Sequence, residues 1–141
     1  MIGIIGQGFV GNAIYQKFKN YFTVLTYDLN KDLCNSTLEN VCDRCDTIFV
    51  CLPTPMNEDG SCSTDILEDA LKDIEILTSF EQKPKTIVLK STVPPGTTEK
   101  WNDRFYSLNV IFSPEFLTEA NSIEDFKNQT RIILGGDRKG T

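Results

Sequence analysis

The apolar positions of the chain alternate between short continuous runs and stretches with helical spacing. Short runs of apolar and β-branched residues, bounded by turn residues, are typical of buried parallel strands. Such runs predict six strands, at residues 2–5, 22–27, 47–52, 86–90, 108–112 and 131–134. Helical spacing predicts helices at residues 9–20, 64–79 and 97–106, and a weaker helix at 30–43. This alternation predicts an α/β fold with one doubly wound, mainly parallel sheet covered by helices on both faces, as a single domain over residues 1–141.

Charge and length exclude some classes of partner. The chain has a formal net charge of −6 and a pI of about 4.6, which argues against a nucleic-acid surface because such a surface requires a basic patch. No apolar stretch approaches the roughly 20 residues that a membrane-spanning helix needs. The first residues lack the pattern of a signal peptide. We therefore expect a cytoplasmic protein with no nucleic-acid or membrane partner.

The cysteines and the absence of histidine limit the chemistry further. A chain without histidine cannot use a Ser-His-Asp or Cys-His mechanism. Cys42 and Cys45 have CxxC spacing, but a structural zinc site needs four ligands and no second pair accompanies them. We expect no metal, and we expect all five cysteines to be reduced thiols.

A glycine motif directly follows the first predicted strand and opens the first predicted helix. The motif is GxGxxG, formed by Gly6, Gln7, Gly8, Phe9, Val10 and Gly11. In a dinucleotide-binding motif, Gly6 would permit the tight turn, Gly8 would let the backbone approach a pyrophosphate, and Gly11 would let the helix pack closely on the strand. Since the motif has the expected strand and helix on either side, it favours dinucleotide binding over a coincidental glycine turn.

An acidic residue ends the second predicted strand. Asp28 lies seventeen residues beyond Gly11, close to the spacing at which an acid binds the adenosine ribose hydroxyls. A carboxylate there repels a 2′-phosphate, and no arginine follows nearby, so NAD is favoured over NADP. The alternative is that Asp28 is only a turn residue before Leu29 and Asn30.

Three further segments follow the third, fourth and fifth predicted strands. They are Cys51-Leu52-Pro53-Thr54-Pro55, Lys90-Ser91-Thr92-Val93-Pro94-Pro95-Gly96-Thr97-Thr98 and Ser113-Pro114-Glu115-Phe116-Leu117-Thr118-Glu119. In this order, and together with the glycine motif, they resemble the N-terminal domain of the nucleotide-sugar 6-dehydrogenases, the family of UDP-glucose and GDP-mannose dehydrogenases. The resemblance runs from Met1 to Gly136 and implies a Rossmann fold with NAD as the cofactor.

The resemblance also implies roles for individual residues. Residues 6–11 would hold the pyrophosphate and Asp28 the adenosine ribose. The remaining cofactor contacts would come from Leu52, Pro53, Thr54, Pro55, Ser91, Thr92, Val93 and Glu119. The nucleotide-sugar substrate would contact Glu115, Phe116, Leu117, Thr118 and Glu119. Glu115 would be the catalytic residue that helps to handle water in the hydrolytic step.

Several of these residues have a plainer structural alternative when taken singly. Thr92 could simply cap or turn the chain before Pro94, and Pro53 and Pro55 could only end a strand. Glu115 follows a proline, where the first turn of a helix favours an acid. The joint pattern of the four segments favours the functional interpretation.

Two positions depart from the family pattern. The basic residue usually found five positions after the ribose-binding acid is replaced by Leu33, with Lys31 and Lys17 as candidate substitutes. The family's glycine after Phe-Leu-x-Glu is replaced by Ala120.

The cysteine nucleophile implied by the resemblance lies in a second domain that this chain lacks. Cys51 is expected to be an inert packing residue, because it ends a buried strand. Two functions therefore remain open. The chain could be the NAD-binding domain of a UDP-glucose-to-UDP-glucuronate type 6-dehydrogenase with two NAD-dependent hydride transfers, inactive alone and sharing its nucleotide sugar with a missing domain or partner chain. It could also be a free-standing, non-catalytic NAD-binding module.

Overall fold

The computed structural model describes residues 1–136, which form a five-stranded sheet with helices on both faces. The strands are β1 (Ile2–Ile5), β2 (Val24–Tyr27), β3 (Thr47–Val50), β4 (Lys85–Leu89) and β5 (Leu108–Phe112). All neighbouring strands are parallel, in the order β2-β1-β3-β4-β5. The order reverses at β1, so the chain leaves β1 to one side and later returns to the other. Ligands of such sheets bind at this switch point, outside the carboxyl ends of the strands.

Five helices cover the sheet. They are α1 (Phe9–Phe18), α2 (Leu38–Arg44), α3 (Asp65–Thr78), α4 (Thr97–Arg104) and α5 (Ser122–Asn128), with 3₁₀ turns at Lys31–Leu33 and Glu119–Asn121. Helices α2, α3 and α4 pack on one face, and α1 and α5 pack on the other. The strands alternate between these faces, as the period of a strand requires. Ile48 and Val50 of β3 join the first cluster, whereas Phe49 contacts the second. The predicted doubly wound fold is confirmed.

The predicted sixth strand is wrong. Residues 131–134 form no strand, and only the next residue, Gly135, makes an isolated antiparallel bridge with Phe112 at the outer edge of β5. The apolar side chains of Ile132, Ile133 and Leu134 are exposed. An apolar run predicts burial only when a neighbouring surface covers it, and none of residues 1–136 does so here. The predicted domain extends to residue 141, but residues 137–141 lie outside the described part of the chain.

Other element boundaries were also predicted incompletely. The single weak helix expected at 30–43 is two elements, because the chain turns after Leu33 and Thr37 starts a new helix by capping the backbone N–H of Asn40. Helix α5 was not predicted, since only Ile123 and Phe126 give its seven residues an apolar face. None of the helices in residues 1–136 combines the length and apolarity needed to span a membrane.

Candidate functional site

A cleft of about 490 Å³ opens at the carboxyl ends of the strands. It lies at the switch point of the sheet, between the turns that follow β1, β3 and β4. Its lining combines the glycine turn, two loop segments and four ionisable groups. The lining residues are Gly6, Gly8, Phe9, Val10, Asp28, Cys51, Leu52, Pro53, Thr54, Lys90, Ser91, Thr92 and Glu115. The structure thus brings together residues from all four segments that the sequence analysis identified.

The glycine turn provides a close backbone approach and a free helix end. Gly6 has a φ of +90°, and a Cβ added there would lie 2.4 Å from the carbonyl oxygen of Cys51. A Cβ on Gly11 would lie 1.9 Å from the carbonyl oxygen of Gly6, so α1 packs here with no room for a side chain. Gly8 has no atom within 4 Å of its virtual Cβ, and it starts α1 without a side-chain cap. Uncapped N–H groups at the start of a helix are suited to bind an anion.

Asp28 lies at the lip of the cleft and is held by two backbone groups. Its Oδ2 accepts a hydrogen bond of 2.7 Å from the N–H of Gln7, and its Oδ1 accepts one of 2.8 Å from the N–H of Asn30. The thiol of Cys34 donates to the carbonyl oxygen of Asp28 and accepts from its N–H, both at 3.0 Å. The Asn30 contact is the turn role considered as the alternative. The Gln7 contact also links the carboxylate to the glycine turn. Asp28 is therefore a turn residue and, at the same time, a direct neighbour of the glycine turn.

A second cavity lies on the other side of the glycine turn. It is lined by Gln7, Gly8, Phe9, Asn12, Tyr15, Thr26, Asp32, Leu33, Cys34 and Asn35. Neither this cavity nor the first has a lysine or arginine near Asp28. Of the two suggested substitutes, Lys17 donates from its Nζ to the carbonyl oxygen of Lys127 on α5, and Lys31 lines neither cavity.

The loops after β3 and β4 are joined across the cleft. The hydroxyl of Ser91 donates to the carbonyl oxygen of Leu52. Two residues predicted for this site, Pro55 and Val93, do not line the cleft. The carbonyl oxygen of Pro55 accepts a hydrogen bond from the N–H of Ser63, and Val93 packs against the apolar core.

Three ionisable groups share the deep end of the cleft. Burial raises the pKa of the Cys51 thiol to about 12, which agrees with the expected inert thiol. Burial also raises the pKa of Glu115 and lowers the pKa of Lys90. Oε2 of Glu115 is buried without a hydrogen-bond partner in residues 1–136. Sequence reasoning assigned no role to Lys90. The sequence feature that could have identified Lys90 is a lysine directly at the end of an apolar strand segment.

The segment after Glu115 turns away from the cleft. Phe116 is exposed, and Leu117 packs with the apolar cluster of α1 and α5. The N–H and hydroxyl of Thr118 both donate to Asp125 of α5. Glu119 faces a separate surface cavity with Gln16 of α1 and Lys19, which directly follows that helix. Because α5 folds back onto α1, the structure does not bring residues 116–119 to the cleft, and Glu119 in particular does not reach it.

The CxxC pair lies outside the cleft. Cys42 ends up inside α2 and Cys45 follows that helix, and both side chains are buried. Burial raises the pKa of Cys42 to about 12 and raises that of Cys45 as well. Neither thiol has the lowered pKa of a reactive cysteine. Within residues 1–136, no group of three or more histidine, cysteine or acidic side chains is arranged to hold a metal ion.

Several known proteins have sequences similar to that of this chain. The chain is 36% identical over 114 residues to an uncharacterised protein of Methanocaldococcus jannaschii, covering 79% of this chain and 13% of that protein. It is 35% identical over 111 residues to a UDP-glucose 6-dehydrogenase of Rickettsia conorii, covering 74% of this chain and 24% of the relative. The chain therefore spans less than a third of the length of these relatives.

Solved structures with the same fold include two dehydrogenases. A UDP-glucose dehydrogenase of Pyrobaculum islandicum superposes with a TM-score of 0.84 and 25% identity, covering 99% of this chain and 41% of the other. A GDP-mannose dehydrogenase of Pseudomonas aeruginosa has the same TM-score at 21% identity, covering 98% of this chain and 41% of the other. At that identity the second similarity concerns the fold alone.

The family of this chain is shown by the similarity of most of its sequence to one known domain family. Residues 20–141 match the NAD-binding domain of the UDP-glucose/GDP-mannose dehydrogenase family. The glycine turn, the uncapped start of α1 and the carboxylate of Asp28 lie in one cleft and suit an NAD dinucleotide. The chain belongs to the UDP-glucose/GDP-mannose dehydrogenase family, as its NAD-binding domain.

Proposed function

We propose that this chain is the cofactor-binding part of a nucleotide-sugar 6-dehydrogenase, which oxidises a primary alcohol of the sugar to a carboxylate. The observation that carries the proposal is the single cleft shared by the glycine turn, Asp28, the Ser91–Thr92 segment and Glu115. The curated relative from Rickettsia conorii is named for this activity. The nucleotide-sugar substrate and the catalytic turnover are part of the proposal, since the chain spans only part of that relative.

The described residues would divide the cofactor between them. Backbone N–H groups at the start of α1 would bind the pyrophosphate, because Gly8 leaves the approach open and no side chain caps that end. Asp28 would accept hydrogen bonds from the adenosine ribose and repel a 2′-phosphate. Leu52, Thr54, Ser91 and Thr92 would line the middle of the dinucleotide. Bound NAD would supply the hydride acceptor.

Glu115 is the candidate for proton transfer. Its carboxyl group lies at the deep end of the cleft, where burial raises its pKa and brings it closer to neutral pH. A carboxyl group with a raised pKa is suited to accept a proton from water and to return it. The described residues of the cleft do not supply a reactive thiol as nucleophile, because the Cys51 thiol has a pKa of about 12. The acyl-carrying thiol of such a reaction would therefore come from another domain or chain.

Thermal melts with each cofactor test the proposal. We expect NAD to raise the melting temperature, since ligand at 100 times its Kd stabilises a fold by about 2.7 kcal/mol. NADP at the same concentration is expected to give a much smaller shift. Asp28→Asn is the matched variant, because its amide oxygen can still accept from one backbone N–H while the repelling charge is gone. It should narrow the difference between NAD and NADP. Equal shifts with both cofactors in the unaltered chain, or none with either, would contradict the assignment.

A further inference from the structure

The Lys90 ammonium group is a buried cation at the end of β4. Its side chain lines the deep end of the cleft, and the residue is only 7% exposed. Its Nζ donates to the hydroxyl of Ser113 at 3.2 Å and to the carbonyl oxygen of Pro114 at 3.4 Å. Among the ion pairs of residues 1–136, none includes Lys90. A buried ammonium group whose hydrogen-bond acceptors are all neutral oxygens is costly. Stability alone therefore does not account for a lysine at this position.

The two acceptors of Lys90 belong to the turn that precedes Glu115. Ser113 is buried, and its N–H continues the ladder from β4 by donating to the carbonyl oxygen of Leu89. Pro114 is bonded directly to Glu115, so fixing the Pro114 carbonyl fixes where the Glu115 side chain leaves the backbone. That side chain also lines the cleft, with its Oε2 buried and without a partner in the described residues. The lysine and the carboxyl group therefore face one cavity from adjacent strand ends.

We propose that Lys90 is a positioning residue, whose ammonium group fixes the Ser113–Pro114 turn and holds the Glu115 carboxylate facing the cleft. The inference rests on the proposed function only for what the Glu115 carboxylate would do in the reaction. The geometric argument is independent of that function. Three effects act on the pKa of Glu115. Burial raises it, whereas the Lys90 charge and a hydrogen bond from the backbone of Leu117 lower it. The other titratable group at this depth, Cys51, is a neutral thiol near pH 7 because its pKa is about 12.

The titration of Glu115 in the full chain tests this inference directly. Glutamate carrying carbon-13 in its carboxyl group would be incorporated, and the Glu115 signal assigned by its loss in Glu115→Gln. In Lys90→Met the titration midpoint is expected to rise by at least about half a pH unit, because the neighbouring cation is lost while burial remains. Lys90→Arg keeps the charge and should restore a midpoint close to that of the unaltered chain. Lys90→Gln is the milder neutral variant if the methionine variant does not fold.

Lys85 provides the matched control. It is a second buried lysine at the opposite end of β4, where its Nζ pairs with Glu81 at 2.8 Å. Lys85→Met should lower the melting temperature but leave the Glu115 midpoint unchanged. A Lys90 that is merely structural would behave in the same way. An unchanged Glu115 midpoint in the neutral Lys90 variants would therefore overturn the inference.

NAD titrations of the same variants separate this inference from the proposed function. If the unaltered chain does not bind NAD, the proposed function fails, whatever the Glu115 midpoints show. If NAD binds and the midpoint does not respond to Lys90, the positioning role fails alone. A midpoint that rises in Lys90→Met and recovers in Lys90→Arg supports the role of Lys90 in either case.

Discussion

At the residue scale, Gly8 and Gly11 of the glycine motif differ in what surrounds them. Gly11 is required by packing, since a Cβ there would meet the carbonyl oxygen of Gly6 at 1.9 Å. Gly8 is not required by the fold, because nothing lies within 4 Å of its virtual Cβ and its φ is −65°. We therefore expect ligand approach, rather than folding, to require glycine at position 8.

This difference gives a paired prediction. Gly8→Ala should lower the melting temperature only modestly, since alanine at an N-cap costs roughly 0.5–1 kcal/mol relative to glycine, but it should weaken NAD binding because a methyl group enters the proposed pyrophosphate site. Gly11→Ala should lower the melting temperature strongly, because the methyl group overlaps a backbone atom that cannot move aside. Thermal melts and NAD titrations of both variants check it. A Gly8→Ala variant that binds NAD like the unaltered chain would contradict the pyrophosphate assignment.

Asp28 shows what the sequence could not provide. Its position at the end of β2 and its spacing from the glycine motif were predictable. Its hydrogen bond to the N–H of Gln7 was not, because β2 and the glycine turn become neighbours only when β1 and β2 pair. The same limit applies to Lys90, which becomes a candidate only once the ends of β4 and β5 lie side by side.

At the element scale, the five parallel strands were predictable and the C-terminal region was not. Each strand from β1 to β5 is rich in apolar and β-branched residues, most of them buried, as is typical of parallel sheets. Residues 131–134 have a similar run, yet they lie beyond the edge of β5 and are exposed. The family resemblance implied that residues 116–119 contact the nucleotide sugar, and that Glu119 also contacts the cofactor. The return of α5 to α1 directs them away, and this packing depends on long-range contacts of few apolar residues.

The packing of α5 leads to the next prediction. Phe126 is 6% exposed and meets the ring of Phe18 edge to face, with centroids 5.9 Å apart. Phe126→Ala should cost roughly 3–5 kcal/mol in the free energy of unfolding, as buried phenylalanine truncations do. Phe116→Ala is the matched control, because Phe116 is 72% exposed and should change stability by no more than about 0.5 kcal/mol. Urea denaturation measures both. Equal effects of the two substitutions would show that α5 does not pack on α1 in solution.

At the scale of the whole molecule, the proposed function would give this chain one side of a catalytic site. The cleft has a place for a hydride acceptor and contains a carboxyl group suited to proton transfer, Glu115. Oxidising a primary alcohol to a carboxylate removes four electrons, so two NAD are reduced and one water is consumed. The second oxidation is easier when a thiolate holds the acyl group. Cys51 does not supply it, since its pKa of about 12 keeps the thiol protonated near pH 7.

We therefore expect the chain alone to form no NADH from UDP-glucose or GDP-mannose, even where it binds NAD. Positioning a substrate against its catalytic groups contributes up to about 7–11 kcal/mol of barrier reduction, and the described residues offer no second wall to hold the sugar against the cleft. The absorbance of NADH, followed with each nucleotide sugar, measures the turnover.

Cys51→Ser is the control, because it removes the one thiol that lines the cleft while nearly keeping the side-chain volume. NADH formation that disappears in Cys51→Ser would show that Cys51 acts as the nucleophile, and formation that persists would show that the cleft needs no thiol; either result contradicts the prediction. If the chain alone is silent, activity that returns on adding a cysteine-bearing second domain of a related dehydrogenase would select the shared-site function. Continued silence with intact NAD binding would select the non-catalytic module.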